Sequence, residues 1–157
     1  HCLGEICRRV IEQQKGYATS KSIEVRFEAV GRSLCTSMDE TRIQQAVVNL
    51  LDNAVKFSRP GSPVVVRATR QDANVVCEVE DSGPGIALDD MDKLFVKYAR
   101  LKNRPTGGEK SSGLGLAITK DLVALHGGEI GARNNPGQGT TFWFSLPIVD
   151  VQTGGGD

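Results

Sequence analysis

Two asparagines and a lysine, Asn49, Asn53 and Lys56, fall at i, i+4 and i+7 of NLLDNAVKF, a run otherwise made mainly of Leu, Ala, Val and Phe. At about 100° per residue the three occupy one stripe of a helix, which Arg42 joins. Ile43, Val47, Leu50, Leu51, Ala54 and Phe57 fill the opposite arc, the face expected to pack on a sheet. A polar stripe is often only the solvated side of an amphipathic helix, and that suffices for Arg42. It explains the asparagines less well, because Asn costs helix propensity and solvated faces favour Glu, Lys or Gln. An amide both donates and accepts hydrogen bonds, and its oxygen can ligate a hard cation such as Mg²⁺. The stripe is therefore expected to line a polar site.

A second candidate is EDSGPGI, in which Asp81 ends a strand pattern and Gly83 and Gly85 flank Pro84. Asp, Ser, Gly and Pro together also make an ordinary turn. Two features favour a ligand loop: the turn follows a strand, and another glycine cluster, SSGLGLAI, opens a helix at Gly113. Glycine-rich helix N-termini present free N–H groups to an anion, phosphate above all. Neither standard phosphate loop is present, since GGEKS lacks the Gly-Lys step and GLGLAI lacks the third glycine of a dinucleotide fingerprint.

The elements that must position these groups fit one domain, expected over residues 1–149, with VQTGGGD in a disordered tail or linker, 150–157. Nineteen basic residues balance nineteen acidic ones, so no global field draws nucleic acid or an anionic membrane, and neither is an expected partner. An anionic ligand must be held by local groups. With no leader-like segment and no long apolar run, the chain is expected to be a cytoplasmic piece of a longer protein. Cys2, Cys7, Cys35 and Cys77 form no CxxC pair, and reduced thiols are expected rather than a zinc site or disulfide framework. Two histidines and no GxSxG leave little for a Ser/His/Asp arrangement.

Along the chain the patterns predict a helix over 3–20, a strand over 23–29 and a short strand over 34–36. A Ser37-x-x-Glu40 capping box is expected to open the polar-striped helix, which closes at 58–61. Strands over 64–70 and 75–80 form a hairpin, followed by a short helix near 89–99, a polar loop over 101–112 and a helix over 113–126. Strands over 129–134 and 140–147 finish the chain around an Asn-Asn-Pro-Gly turn. The expected fold is α/β (α+β), a two-layer sandwich of a mixed sheet covered on one face by helices.

The order of the motifs, Asn helix, Asp-x-Gly-x-Gly, Phe segment and Gly-Leu-Gly-Leu, resembles the N, G1, F and G2 boxes of the ATP-binding catalytic domain of sensor histidine kinases, a branch of the GHKL superfamily. The resemblance runs from about Cys7 to Pro147. It implies the histidine kinase-type ATPase fold with a flexible ATP lid, here NRPTGGEKSS, and ATP with Mg²⁺ as cofactors. By position, Asn53 would coordinate Mg²⁺, Asn49 would line the same site, and Lys56 would contact phosphate. Asp81 would accept the exocyclic amino hydrogen of adenine, with Gly83 and Gly85 letting the loop approach and Ile86 packing on the ring. Phe95 in KLFVKYAR would be the F-box aromatic, and Arg100 would reach the γ-phosphate. Gly113, Leu114, Gly115 and Leu116 would set the helix N-terminus beside the phosphates.

The same resemblance implies the reaction. The gyrase, chaperone and mismatch-repair ATPases carry a Glu one turn before the metal-binding Asn, where it activates water. Asn49 stands there in this chain, and an amide is no base. The expected enzyme is thus a protein-histidine kinase, with Asn49, Lys56 and Arg100 as its catalytic residues. It would donate the γ-phosphoryl to a histidine on a separate phosphoacceptor domain, through which the parent dimerises, and signal to a response regulator. No phosphoacceptor segment occurs in these residues. A nucleotide-binding module without transfer is the alternative.

Overall fold

A computed structural model describes residues 1–31, 33–99 and 114–149. The elements are α1 (Leu3–Ser20), β1 (Glu24–Val30), α2 (Glu40–Phe57), β2 (Pro63–Gln71), β3 (Asn74–Glu80), α3 (Leu88–Met91), α4 (Gly115–Leu125), β4 (Glu129–Asn134) and β5 (Thr140–Pro147). The strands form one sheet in the order β1-β2-β3-β5-β4, with β1 parallel to β2 and the remaining pairs antiparallel. Helices cover one face, α1 and α2 over β1 to β3 and α4 over β4 and β5. This is the expected mixed-sheet sandwich. No helix among the described residues is long and apolar enough to cross a membrane.

Period-two alternation makes the sheet two-faced. Val66, Val79 and Phe142 stand abreast across β2, β3 and β5, as do Ala68, Cys77 and Phe144, and all six are buried. Against them α2 lays Ile43, Val47, Leu50 and Leu51, all fully buried, each contributing about 1.5–3 kcal/mol by transfer from water. The sheet's other face carries ion pairs, Arg67 with Glu28 and Glu80, and Arg133 with Glu78. The apolar arc of α2 is therefore committed to the core, except that Phe57, at the last turn, is only half-buried and stands outside it, and the polar stripe is turned away from the sheet.

Four local expectations need correction. The cap of α2 is Asp39, whose Oδ1 accepts from the Arg42 N–H at 3.0 Å; Ser37 lies too early to serve, and Asp is an equally good N-cap. The predicted strand over 34–36 shrinks to a bridge between Cys2 and Cys35. Those two cysteines form a disulfide, contrary to the reduced thiols expected, because the backbone bonds Leu3 N–H to Leu34 O and Thr36 N–H to His1 O align the two segments. Cys7 and Cys77 are free and buried, as expected. The helix predicted near 89–99 is regular only over Leu88–Met91. Beyond it the chain makes successive i to i−3 turns, Lys93 to Asp90, Val96 to Lys93 and Ala99 to Val96, and Tyr98 takes a left-handed φ of 60° that no helix accommodates.

Candidate functional site

The polar stripe of α2 resolves into three differently engaged side chains. Asn49 is engaged at both atoms of its amide: its Nδ2 donates to Gly115 O at 3.2 Å and to Thr119 Oγ1 at 3.1 Å, and its Oδ1 accepts from Gln45 Nε2 at 2.9 Å. Lys56 pairs with Asp52 one turn back at 2.9 Å. Asn53, half-buried between them, has no hydrogen bond to its amide from the described residues. Its oxygen is therefore available to a ligand. No cluster of three His, Cys, Asp or Glu able to hold a metal occurs among the described residues. A single amide oxygen suits Mg²⁺, which keeps several waters and takes most of its remaining ligands from substrate phosphates.

The end of β3 delivers Asp81 into a nearly closed environment, 5 % exposed. Its Oδ1 accepts from the N–H groups of Gly83 at 2.9 Å and Thr140 at 3.1 Å. Burial pushes its carboxyl above the usual carboxylate range, those two donors pull it back, and nearby Glu80 adds a smaller upward push. Among the described residues Oδ2 has no partner, yet it is not sealed off. A fixed, buried carboxylate with one free acceptor suits a ligand N–H donor such as a purine amino group.

Both loop glycines are required, for different reasons. A Cβ on Gly83 would stand 2.8 Å from Phe57 O and 3.2 Å from Asp81 Oδ1, so the absence of a side chain lets the loop lie against the end of α2. Gly85 adopts a φ of +81°, strained for any side-chain-bearing residue. Ile86 follows, clamped by Asn134: Ile86 N–H donates to Asn134 Oδ1 and Asn134 Nδ2 donates to Ile86 O, both at 2.8 Å. Ile86 and Phe95 are partly buried against the core.

On the third side α4 begins at Gly115 without a side-chain cap, with Leu114 and Leu116 half-buried beside it. Its far end is tied down by His126, whose Nε2 accepts from Asp39 N–H at 3.0 Å. That contact leaves Nδ1 to carry the proton toward Leu122 O at 2.8 Å, so His126 caps α4 and braces the start of α2. Arg100, Gly113 and the expected lid lie outside the described residues.

Helix α2 is thus the shared wall, touching the Asp81 loop through Phe57 and the start of α4 through Asn49. Four participants escaped the sequence reading: Gln45, Thr119, Asn134 and Thr140. Thr119 sits in mid-helix and Gln45 on an exposed helix face, whereas Asn134 opens the recognised Asn-Asn-Pro-Gly turn and Thr140 begins the strand after it.

Comparison with known proteins agrees with this fold. Residues 38–150 match the family described as histidine kinase-, DNA gyrase B-, and HSP90-like ATPase. The chain is 39 % identical over 147 residues to the sensor-like histidine kinase SenX3 of Mycobacterium tuberculosis, covering 92 % of this chain and 35 % of SenX3. It spans about a third of that relative's length. Among solved structures, the catalytic domain of histidine kinase ThkA superposes with a TM-score of 0.82 at 28 % identity, covering 94 % of this chain and 93 % of that one. Full-length ShkA in complex with AMPPNP gives a TM-score of 0.79 at 33 % identity, covering 95 % and 30 %. ThkA has also been solved in complex with response regulator protein TrrA, with a TM-score of 0.79 at 25 % identity, covering 95 % and 41 %.

Proposed function

The chain belongs to the histidine kinase-, DNA gyrase B-, and HSP90-like ATPase family, in its sensor histidine kinase branch, and from that premise we propose that it binds Mg-ATP and donates the γ-phosphoryl to a histidine on a separate phosphoacceptor domain of its parent protein. Adenine is read at Asp81, whose free Oδ2 accepts the exocyclic N–H while the N–H groups of Gly83 and Thr140 hold the carboxylate still. A guanine would present a carbonyl there and be repelled. Gly83, Gly85 and Ile86 form the wall beside the ring, and Phe95 supports it. The triphosphate runs toward Asn53, Lys56 and the start of α4 at Leu114, Gly115 and Leu116, and the family resemblance gives Gly113 and Arg100 phosphate-contacting roles as well.

Asn53 would hold Mg²⁺, which when bound neutralises phosphate charge as the bond to ADP loosens. The chain's own residues do the rest: Lys56 and Arg100 balance charge, and the N–H groups at the start of α4 orient the phosphates.

The observation that carries the transfer reading is the engagement of Asn49. Its amide nitrogen donates into the pair of acceptors formed by Gly115 O and Thr119 Oγ1. A carboxylate at this position would face the same carbonyl with no proton to offer, so the place used by a water-activating Glu in related hydrolases is filled by a group that is not a base. The γ-phosphoryl then waits for an external nucleophile. By analogy with ThkA and TrrA, the phosphoryl passes on to a response regulator. The parent is cytoplasmic at this domain and dimeric through its phosphoacceptor helices. The unit extends over residues 1–149.

The test joins this domain to its own phosphoacceptor domain and supplies γ-labelled ATP. An acid-labile, alkali-stable label on the protein is expected. Tight ATP binding without any label would overturn transfer and leave a nucleotide-binding module.

A further inference from the structure

We propose that Thr119 is a positioning residue that, through Asn49, sets the register between the metal-side helix α2 and the phosphate-side start of α4; this rests on the function proposed above. Three polar atoms form a closed triangle. Thr119 Oγ1 donates to Gly115 O at 2.8 Å, Asn49 Nδ2 donates to the same carbonyl at 3.2 Å, and Asn49 Nδ2 also donates to Thr119 Oγ1 at 3.1 Å. Because the hydroxyl hydrogen is spent on Gly115 O, Thr119 offers Asn49 only lone pairs. That polarity demands a donor at position 49, and an amide supplies it. Gln45 then fixes the remaining amide oxygen.

Thr119 is fully buried, so water cannot replace its hydroxyl. Gly115 is the first residue of α4, and its carbonyl is the anchor of the triangle. Asn53 follows Asn49 by one turn on the same stripe of α2, so the node that holds Asn49 also sets where Asn53 stands relative to the start of α4. A mid-helix Thr bonding its own i−4 carbonyl ordinarily loosens that turn slightly. Here the same bond orients the hydroxyl for a partner on another helix, 70 residues away in sequence.

The experiment measures the affinity of the purified chain for Mg-ATP and for adenosine in the parent and in the variants Thr119→Val, Thr119→Ser, Asn49→Ala and Asn49→Ala/Thr119→Val, with thermal melts alongside. Thr119→Val should weaken Mg-ATP about tenfold, the effect of one lost buried hydrogen bond, and leave adenosine unchanged, because the base is held at Asp81, whose partners Gly83 and Thr140 take no part in the triangle. Thr119→Ser should restore Mg-ATP affinity. The double variant should bind no worse than Asn49→Ala alone. Undiminished Mg-ATP affinity in Thr119→Val, or an equal loss for adenosine and Mg-ATP, would overturn the role of Thr119 while leaving the proposed function intact. A parent chain that binds no Mg-ATP at all would overturn both.

Discussion

Asp81 and Thr140 hold each other through a reciprocal pair of hydrogen bonds: Asp81 N–H donates to Thr140 O at 2.9 Å, and Thr140 N–H donates to Asp81 Oδ1 at 3.1 Å. The carboxylate is thereby fixed to the first residue of β5, and the ends of two neighbouring strands become one rigid corner of the site.

That corner predicts an opposition between stability and binding. Burial raises the Asp81 carboxyl despite the Gly83 and Thr140 donors, so the folded chain binds the proton more tightly than the unfolded chain does. The stability contributed by Asp81 is then complete below the unfolded pKa and is lost as pH rises through the higher folded value. Asp81→Asn keeps the Oδ1 acceptor and carries no charge. It should melt higher than the parent at pH 7, with the difference vanishing in acid, and bind ATP about a hundredfold more weakly. A melting difference that stays constant from acid to neutral pH would contradict the burial account.

Gly83→Ala places a Cβ 2.8 Å from a backbone carbonyl that cannot swing away, Phe57 O. The loop must shift, at a cost of about 1–3 kcal/mol, and Asp81 Oδ1 loses its 2.9 Å donor. Adenosine affinity should fall with stability. Calorimetry showing parent-like adenosine binding would mean that Gly83 only eases the turn.

The Asn134 clamp on Ile86 predicts graded variants. Asn134→Ala removes both 2.8 Å bonds. Adenosine affinity should fall about threefold to tenfold, since a neutral hydrogen bond is worth roughly 0.5–1.5 kcal/mol net. Asn134→Asp keeps the acceptor for Ile86 N–H and loses the donor to Ile86 O, so its loss should be intermediate. Asp weaker than Ala would show that charge, not the clamp, governs the loop.

The Cys2–Cys35 disulfide spans 33 residues of sequence and ties the start of α1 to the segment before α2. Chain entropy puts the stabilisation from closing such a loop at about 3–4 kcal/mol. Reductant should lower the parent's melting temperature, and Cys35→Ser should match the reduced parent and ignore reductant. Buried Cys7 and Cys77 should resist thiol labelling in the folded chain. A parent whose melt is indifferent to reductant would show that the bond contributes no stability.

The sequence by itself determined what local periodicity and backbone chemistry can carry. The 3.6-residue period separated the buried arc of α2 from its polar stripe, and two-residue alternation marked the strands. Gly83 and Gly85 stood out because they flank Pro84 just after a strand; in the structure a Cβ would strike Phe57 O at the first, and the second has a φ of +81°. What the polar residues bond to was decided only by tertiary structure. Asn49 meets Thr119 across 70 residues, Asp81 meets Thr140 across 59, and Ile86 meets Asn134 across 48. These contacts exist because β5 inserts between β3 and β4 and α4 packs beside α2. The cysteines show the same division, since their spacing suggested free thiols until the chain entry crossed Cys35. A hydrogen bond leaves no periodic trace in the residues that form it, whereas a buried face must repeat with its helix or strand, and so the core could be read locally while the partners of the site residues could not.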